Sequence, residues 1–335
     1  MIRCLSMKAW LLKSIGGLDR LHLGETDDPL PATGQVVLDI ELAALNPADR
    51  YLAEGQYPAK PPLPHILGRD GIGIVSAVGP GADRFHIGQR LLILRGETGV
   101  TARGTFAQRV AVSIESVAIP PANWSVEESA GAALVYMTAY QALTQWGDLE
   151  PSIVLITGAS GGVGIATLQL ARAMGHTVVA LSRGADKRKI LEKLGAAHTL
   201  DPNDPQWTAM LKTTLAGRRV NLAIDNIGGP LLPRVIETLG DQGKISVVGR
   251  LAGPVPQFNT ASMFFRRLKM GGVHVGAYKP PEAQEAWAQS LKLLDRTGAR
   301  PLVDHVFAFD QLPAAFAHLA AGPMGKVLLE VNGRR

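Results

Sequence analysis

Short apolar runs separated by turn-forming residues make up the first third of the chain. Met7 opens one such run, MKAWLL, and further runs cover 36–42, 73–78, 90–94 and 106–112. Glycine, proline, asparagine and aspartate stand between them, as turns require. Short strands at this spacing predict a β-rich region folded as a barrel or a sandwich.

The pattern changes at Ser125, where a serine followed three residues later by Glu128 predicts a capping box at the start of a helix. Beyond it, buried strands alternate with helices that are each followed by a glycine. Strands are predicted at 153–157, 177–181, 198–200, 222–225, 244–248 and 269–276, and helices at 162–174, 185–194 and 230–239. The alternation predicts an α/β fold in which helices cover both faces of a parallel sheet. After residue 280 we expect helix 282–296, strand 303–309, helix 312–319 and strand 326–331.

The first strand of this α/β region runs into a glycine-rich turn, Ala159-Ser160-Gly161-Gly162-Val163-Gly164. It matches the G-x-G-x-x-G pattern of dinucleotide-binding turns, with alanine at the first glycine position. Gly161 would let the backbone approach a pyrophosphate, Gly164 would let the helix pack on the strand, and the helix N-terminus would offer free N–H groups to the anion. A tight turn that needs glycines only for its geometry is the alternative; strand, turn and helix in this order favour a dinucleotide.

The next strand ends in Ser182 and Arg183, and Lys187 and Arg188 follow. Enzymes that use NADH carry a carboxylate near this strand end, where it accepts hydrogen bonds from a ribose hydroxyl. Here a hydroxyl and cations stand in its place, and they would hold the 2′-phosphate of NADPH. The cations could instead be the solvated start of a helix, and Asp186 is a minor contrary feature, but their position favours NADPH.

Three segments together resemble one enzyme family. They are LNPADRYLAEGQYP from residue 45, LGRDGIGIVSAVGPGADRFHIGQRL from residue 67, and TGASGGVG from residue 157 with MTAYQAL upstream. The chain resembles the medium-chain dehydrogenase/reductases, and within them the zinc-independent quinone oxidoreductase (zeta-crystallin-like) branch. The resemblance implies a GroES-like, β-rich catalytic domain over 1–127 and 277–335, and a Rossmann NADP-binding domain over 128–276.

The same resemblance bears on metal binding. In the zinc alcohol dehydrogenases, ligands stand at the positions that Asn46, Arg69 and Leu134 hold here, and these residue types do not make a zinc site. The chain has a single cysteine, Cys4, so the four-cysteine structural lobe of those enzymes is also missing. We therefore expect no metal.

Without a metal, hydrogen bonds must polarise a substrate carbonyl. The resemblance places Asn46, Tyr51 and Tyr57 in the segment that faces the nicotinamide, so we expect these residues to be catalytic. Asn46 could instead open a turn, and either tyrosine could be a packing residue. By the same resemblance, further residues line the cofactor: Thr138, Asn226, Val248, Gly249, Val275 and Lys326.

These features predict hydride transfer from NADPH to a quinone or an α,β-unsaturated carbonyl. The proton would come from Tyr57 or from water. An enoyl thioester reductase, a zinc-type alcohol dehydrogenase homologue and an NADPH-binding protein without turnover remain as alternatives.

Charge, hydropathy and cysteine content bear on the ligand class and on the cellular location. The net charge of +5 is scattered, with no basic run, which favours an anionic small ligand over nucleic acid. No apolar stretch is long enough to span a bilayer, and the opening residues lack a signal-peptide pattern. With one cysteine in the chain, these features favour a cytoplasmic protein. The strand at 269–276 would be an exposed sheet edge, and the family pairs such edges, so we expect a homodimer.

Overall fold

A computed structural model of the chain describes residues 6–94, 97–147, 149–253 and 257–333, so Cys4 lies outside the described residues. The chain divides into two units. The first consists of Met1–Leu134, Tyr278–Glu285 and Pro301–Arg335, and the second of Val135–Ala277 and Ala286–Arg300. The nucleotide-binding domain was expected over 128–276; the second unit begins somewhat later and also takes in residues 286–300.

The N-terminal part of the first unit is β-rich. Its strands and helices are β1 (Ser6–Leu12), β2 (Leu21–Asp27), β3 (Gln35–Ala44), α1 (Pro47–Ala53), β4 (His65–Ile66), β5 (Gly71–Val78), β6 (Arg90–Ile93), β7 (Arg109–Ser113), β8 (Val117–Ala118) and α2 (Val126–Ala130). Helix α2 begins at the predicted capping box of Ser125 and Glu128.

The next elements alternate between strand and helix. They are α3 (Ala133–Thr144), β9 (Ile153–Ile156), α4 (Gly162–Ala173), β10 (Thr177–Leu181), α5 (Ala185–Lys193), β11 (His198–Leu200), α6 (Trp207–Thr214), β12 (Val220–Asp225), α7 (Leu231–Thr238), β13 (Leu239–Val247), α8 (Ala261–Phe265) and β14 (Lys269–Gly272). The C-terminal elements are α9 (Pro280–Thr297), β15 (Val303–Ala308), α10 (Leu312–Ala320) and β16 (Lys326–Glu330).

The second unit is built on a parallel sheet with the strand order β11-β10-β9-β12-β13-β14. This is the doubly wound arrangement, with the first strand of the series in the middle. Strand β9 is buried along its whole length, as a central parallel strand must be. The predicted parallel α/β fold is thereby confirmed.

The first unit has a larger sheet with the order β15-β16-β3-β5-β6-β8, in which β7 also pairs with β3, and a small sheet with the order β2-β1-β4. The C-terminal strand β16 pairs antiparallel with β3, so the C-terminal segment completes a sheet that the N-terminal part of the chain begins. The core includes Phe106 and Phe316, whose rings meet edge-on at 5.9 Å.

Three parts of the second unit differ from the sequence prediction. The strand expected over 269–276 stops at Gly272, and Val275–Ala277 is a short 3-10 helix instead. Strand β13 begins at Leu239, directly after α7, where a helix end and a turn were expected. Helix α6 was not predicted, although its buried residues Trp207 and Leu211, with Leu215 at its C-cap, have helical spacing. Within the described ranges, no helix is both long and apolar enough to cross a membrane.

Candidate functional site

Helix α1 begins at a capping box built from Asn46 and Asp49. The Asn46 backbone N–H donates to Asp49 Oδ2 at 3.0 Å, and Pro47 stands in the first turn, where no N–H is needed. Asp49 is fully buried, and its other oxygen, Oδ1, accepts from Arg69 Nε at 2.9 Å. One carboxylate therefore both starts the helix and fixes a guanidinium.

Arg69 is a buried cation held from several sides. Its Nη2 donates to the Ala48 carbonyl at 3.1 Å, and its Cζ lies 4.9 Å from the centre of the Tyr57 ring. Burial works against the charge, but Asp49 and Tyr57 outweigh burial and raise the pKa of the guanidinium above its usual value. Arg69 therefore stays charged, and the Tyr57 ring packs against it.

Lys326, at the start of β16, fixes the side chain of Asn46. Its ammonium donates to Asn46 Oδ1 at 2.8 Å and to the Leu45 carbonyl at 3.0 Å. Because an ammonium can only donate, the amide oxygen must face it and the amide nitrogen must face away. That nitrogen donates to the Ala44 carbonyl at 3.2 Å. The buried Asn46 amide is thereby held in one orientation.

Asp70 lies beside the same ammonium, with its Oδ2 3.4 Å from Lys326 Nζ. This ion pair is longer than a normal hydrogen bond, and both side chains are almost fully buried. Burial raises the pKa of Asp70 to about 6, although Lys326 and Asn46 act in the opposite direction. Burial also lowers the pKa of Lys326, against the attraction of Asp70 and Asp49. Each group of the pair is thus shifted towards its neutral form.

We call these five residues the polar cluster: Asn46, Asp49, Arg69, Asp70 and Lys326. Of the residues predicted to be catalytic, Asn46 belongs to the cluster and Tyr57 contacts it through Arg69. Tyr51 lies on α1, with its ring 5.4 Å from the Cζ of Arg50. In the part of the chain that the structure describes, no group of three or more His, Cys, Asp or Glu side chains is placed to hold a metal ion.

In the second unit, the glycine-rich turn joins β9 to α4. Gly158 has a φ of 60°, and the buried Ala159 donates its N–H to the Leu181 carbonyl at 3.1 Å. A Cβ on Gly164 would lie 2.4 Å from the Gly158 carbonyl oxygen, whereas a Cβ on Gly161 would meet that oxygen at 3.5 Å, an ordinary contact. Close packing of α4 on the turn therefore requires glycine at 164, while Gly161 leaves space beside the helix N-terminus.

The N-terminus of α4 is suited to an anion. Gly161 is its N-cap and supplies no side-chain cap, so the first N–H groups of the helix have no intrahelical or capping acceptor. Ser160, Gly162 and Val163 are half-buried around it. Backbone donors and the positive end of the helix dipole can together hold a phosphate at this turn.

The end of β12 is organised by Asp225, which was not predicted from the sequence as a site residue. Asp225 is fully buried and accepts from Thr157 Oγ1 at 2.7 Å and from the Gly228 N–H at 3.1 Å. Asn226 donates its amide to the Thr157 carbonyl at 2.8 Å. Its Oδ1 is buried without a hydrogen-bond partner among the described residues, so it can accept from a hydroxyl of a ligand.

The other predicted cofactor-lining residues are dispersed. The Val248 N–H donates to the Asp225 carbonyl at 2.8 Å, and a Cβ on Gly249 would lie 2.6 Å from the Asn226 carbonyl oxygen. Thr138 is half-buried on α3, and Val275 is buried in the short 3-10 helix. Lys326 was expected to line the cofactor; the structure buries it in the first unit against Asn46 and Asp70.

The end of β10 is where a 2′-phosphate was expected. Ser182 is buried there, Arg183 is exposed, and Lys187 is half-buried on the first turn of α5. The strand end itself carries no carboxylate.

The carboxylates that follow this strand end are paired with cations. Asp186 lies 3.2 Å from Lys189 at the surface, and Asp201 lies 3.3 Å from Arg188. Lys189 therefore partly offsets the charge of Asp186, which would otherwise oppose a 2′-phosphate.

Two family models match the chain. The "Alcohol dehydrogenase GroES-like domain" matches residues 32–122, and the "Zinc-binding dehydrogenase" model matches residues 162–296. The chain belongs to the medium-chain dehydrogenase/reductase family. The GroES-like domain, the Rossmann-type sheet and the family predicted from the sequence are thus confirmed.

Among the relatives, the "Synaptic vesicle membrane protein VAT-1 homolog" of Homo sapiens is 29% identical, over 98% of this chain and 86% of its own. The "Quinone oxidoreductase" of Rattus norvegicus is 26% identical, over 96% and 97%. A solved "NAD-dependent alcohol dehydrogenase" is 26% identical, with a TM-score of 0.88 over 97% and 100% of the two chains. Two of these names denote oxidoreductases, one of them NAD-dependent, and the VAT-1 name denotes no reaction.

Asp49, Asp225 and the contacts of Arg188 were not predicted from the sequence. Asp49 had a visible signal, because Asn46-Pro47-Ala48-Asp49 is a capping pattern followed by a helix. Asp225 meets Thr157, and Arg188 meets Asp201, only when separate strand ends come together in the sheet.

Proposed function

We propose that this protein transfers a hydride from NADPH to a quinone or an α,β-unsaturated carbonyl without zinc. The polar cluster is the observation that supports this most strongly. Asn46 and Arg69 hold positions where zinc alcohol dehydrogenases have ligands, and here they form a locked amide and a buried, ion-paired guanidinium. A cation buried at 5% exposure would repel a divalent metal, and Leu134 at the third position offers no donor.

The choice of NADPH is supported by the strand end after β10. A hydroxyl, Ser182, and two cations, Arg183 and Lys187, stand where enzymes that use NADH have a carboxylate. A phosphate dianion would gain charge-assisted hydrogen bonds here and would meet no unpaired carboxylate, since Asp186 and Asp201 are both in ion pairs.

NADPH, when bound, supplies the hydride; the residues of the chain bind and orient the reactants. The turn at 159–164 and the α4 N-terminus hold the pyrophosphate, and Asn226 Oδ1 accepts from the ribose. In the first unit, Arg69 and Asp49 keep Tyr57 in place, and the Tyr57 hydroxyl donates to the substrate oxygen as charge develops on it.

We also propose a cytoplasmic homodimer. Strand β14 stands at the end of the sheet in the described chain, and Lys269, Met270 and Gly272 on it are exposed. An edge of this kind invites pairing with a second copy. Light scattering should give twice the 35.6 kDa chain mass at micromolar concentration; a monomer mass would reject the dimer.

The experiment is an acceptor screen that follows the absorbance of NADPH. Quinones, enones, simple aldehydes and enoyl thioesters are supplied in parallel, with and without a chelator, and the zinc content of the same sample is measured. We expect quinones or enones to be reduced, no stoichiometric zinc, and rates that the chelator leaves unchanged. About one zinc per chain with activity lost on chelation contradicts the metal-free reaction, and turnover of enoyl thioesters alone contradicts the substrate class.

A further inference from the structure

Arg188, on α5, lies beside the end of β10, and hydrogen bonds hold its guanidinium in place. Its Nη1 donates to the Ser182 carbonyl at 2.8 Å and to the Arg183 carbonyl at 2.9 Å, and lies 3.3 Å from Asp201 Oδ2. One nitrogen of the guanidinium thus holds the turn that follows β10. Its contact with Asp201 also connects the guanidinium to the residue that follows β11. The side chain is 23% exposed, so the group is fixed yet still reachable by solvent.

The remaining donors of this guanidinium are unused. Nε and Nη2 make no hydrogen bond with any residue in the described ranges. These two nitrogens form the side-on edge of an arginine, whose parallel N–H bonds match two oxygens of a phosphate. Arg183 is exposed, and its side chain makes no comparable contact with the described residues, so it must lose freedom when it binds a ligand, whereas Arg188 has already lost it.

We propose that Arg188 is a specificity-determining residue of this protein, which holds the Ser182–Arg183 turn through Nη1 and binds the 2′-phosphate of NADPH through Nε and Nη2. This rests on the proposed choice of NADPH and adds Arg188 to Ser182, Arg183 and Lys187 as a group that makes that choice. Asp201 orients the guanidinium and does not contact the cofactor.

The test measures dissociation constants for NADPH, NADH, 2′,5′-ADP and 5′-AMP by calorimetry, since the last two isolate the 2′-phosphate from the nicotinamide. Arg188→Lys keeps the positive charge but removes the two parallel N–H donors of Nε and Nη2. We expect it to weaken NADPH and 2′,5′-ADP about tenfold while NADH and 5′-AMP stay within about twofold. Arg188→Ala should weaken the two phosphorylated ligands further, by about 10- to 100-fold.

The matched control is Arg172→Ala, which removes the same charge from α4. Among the residues that the structure describes, the Arg172 side chain makes one hydrogen bond, a long 3.5 Å contact with the Leu194 carbonyl. The variant should leave all four constants within about twofold. If Arg188→Lys and Arg188→Ala weaken NADPH and NADH by the same factor, or leave the NADPH preference intact, Arg188 is a structural clamp only and the inference is overturned. If the wild type does not prefer NADPH, the proposed cofactor is overturned as well. The wild-type constants alone give this result, so it is distinguishable from a failure of the Arg188 proposal.

Discussion

The polar cluster of the first unit and the glycine-rich turn of the second are organised in opposite ways. In the cluster, charged side chains from distant parts of the chain are buried and bonded to one another; Lys326 reaches the Leu45 carbonyl, 281 positions away. In the turn, the groups are backbone N–H donors and neighbouring glycines, and the N-terminus of α4 is left without a side-chain cap. The cluster is closed, because its side chains bond to one another, and the turn is open, because no side chain caps its backbone N–H donors. The difference underlies our proposals that the first unit holds no metal and that the second unit binds a dinucleotide.

Asp49→Asn is the strongest test of whether the buried groups of the cluster depend on one another. This change leaves the buried Arg69 without its carboxylate, and breaking a buried pair by removing one partner typically costs about 3–5 kcal/mol in free energy of unfolding. The control is Asp39→Asn, which breaks a half-exposed pair with Arg109 at 3.0 Å, where about 0–1 kcal/mol is expected. Urea denaturation measures both variants, and equal losses would mean that Arg69 does not depend on Asp49.

The buried pair of Asp70 and Lys326 makes the cluster sensitive to pH. The pKa of Asp70 is about 6 in the folded chain and 3.8 without the fold, so the folded state binds the proton more tightly. The resulting stabilisation is present below about pH 4 and is lost as pH rises through 6, by at most about 3 kcal/mol. Compared with Asp70→Asn, the wild type should therefore become relatively less stable between pH 4 and pH 7. Parallel unfolding curves across that range would contradict this.

Tyr57→Phe tests whether the cluster positions a catalytic group. The ring can still pack against Arg69, so the fold should be kept, but a hydrogen bond to the substrate oxygen is lost. We expect kcat to fall by about 10²-fold or less, with the NADPH dissociation constant unchanged. Stopped-flow kinetics with two quinones and an enone measure this; unchanged rates with all three would make Tyr57 a packing residue.

Substituting two glycines of the turn at 159–164 tests how closely α4 packs on it. Gly164→Ala places a Cβ 2.4 Å from the Gly158 carbonyl oxygen and should destabilise the protein by about 1–3 kcal/mol. Gly161→Ala is the control, because its Cβ meets the same oxygen only at 3.5 Å; we expect a loss under about 1 kcal/mol. Thermal unfolding compares them, and similar losses would show that α4 does not pack on the turn as described.

The two regions also differ in how far the sequence predicts them. The turn at 159–164 lies between its own strand and helix, so its pattern is local and predicts its structure. The cluster is not local: nothing near Asn46 in the chain indicates that Lys326 would orient its amide, and Lys326 was expected at the cofactor. Likewise, the strand expected over 269–276 looked continuous by its apolar residues, yet the pairing with β13 ends at Gly272.

The measurement that tests the account most directly is the pair of dissociation constants for NADPH and NADH, in the wild type and in Ser182→Asp/Arg183→Ala. Two charge-assisted contacts, discounted for exposure, should favour NADPH by roughly 10²-fold in the wild type. Rising salt should reduce that preference. The double variant should prefer NADH, because a carboxylate repels the phosphate and accepts from the ribose hydroxyl. Equal affinities in the wild type, or a double variant that still prefers NADPH, would contradict the placement of the 2′-phosphate at the end of β10.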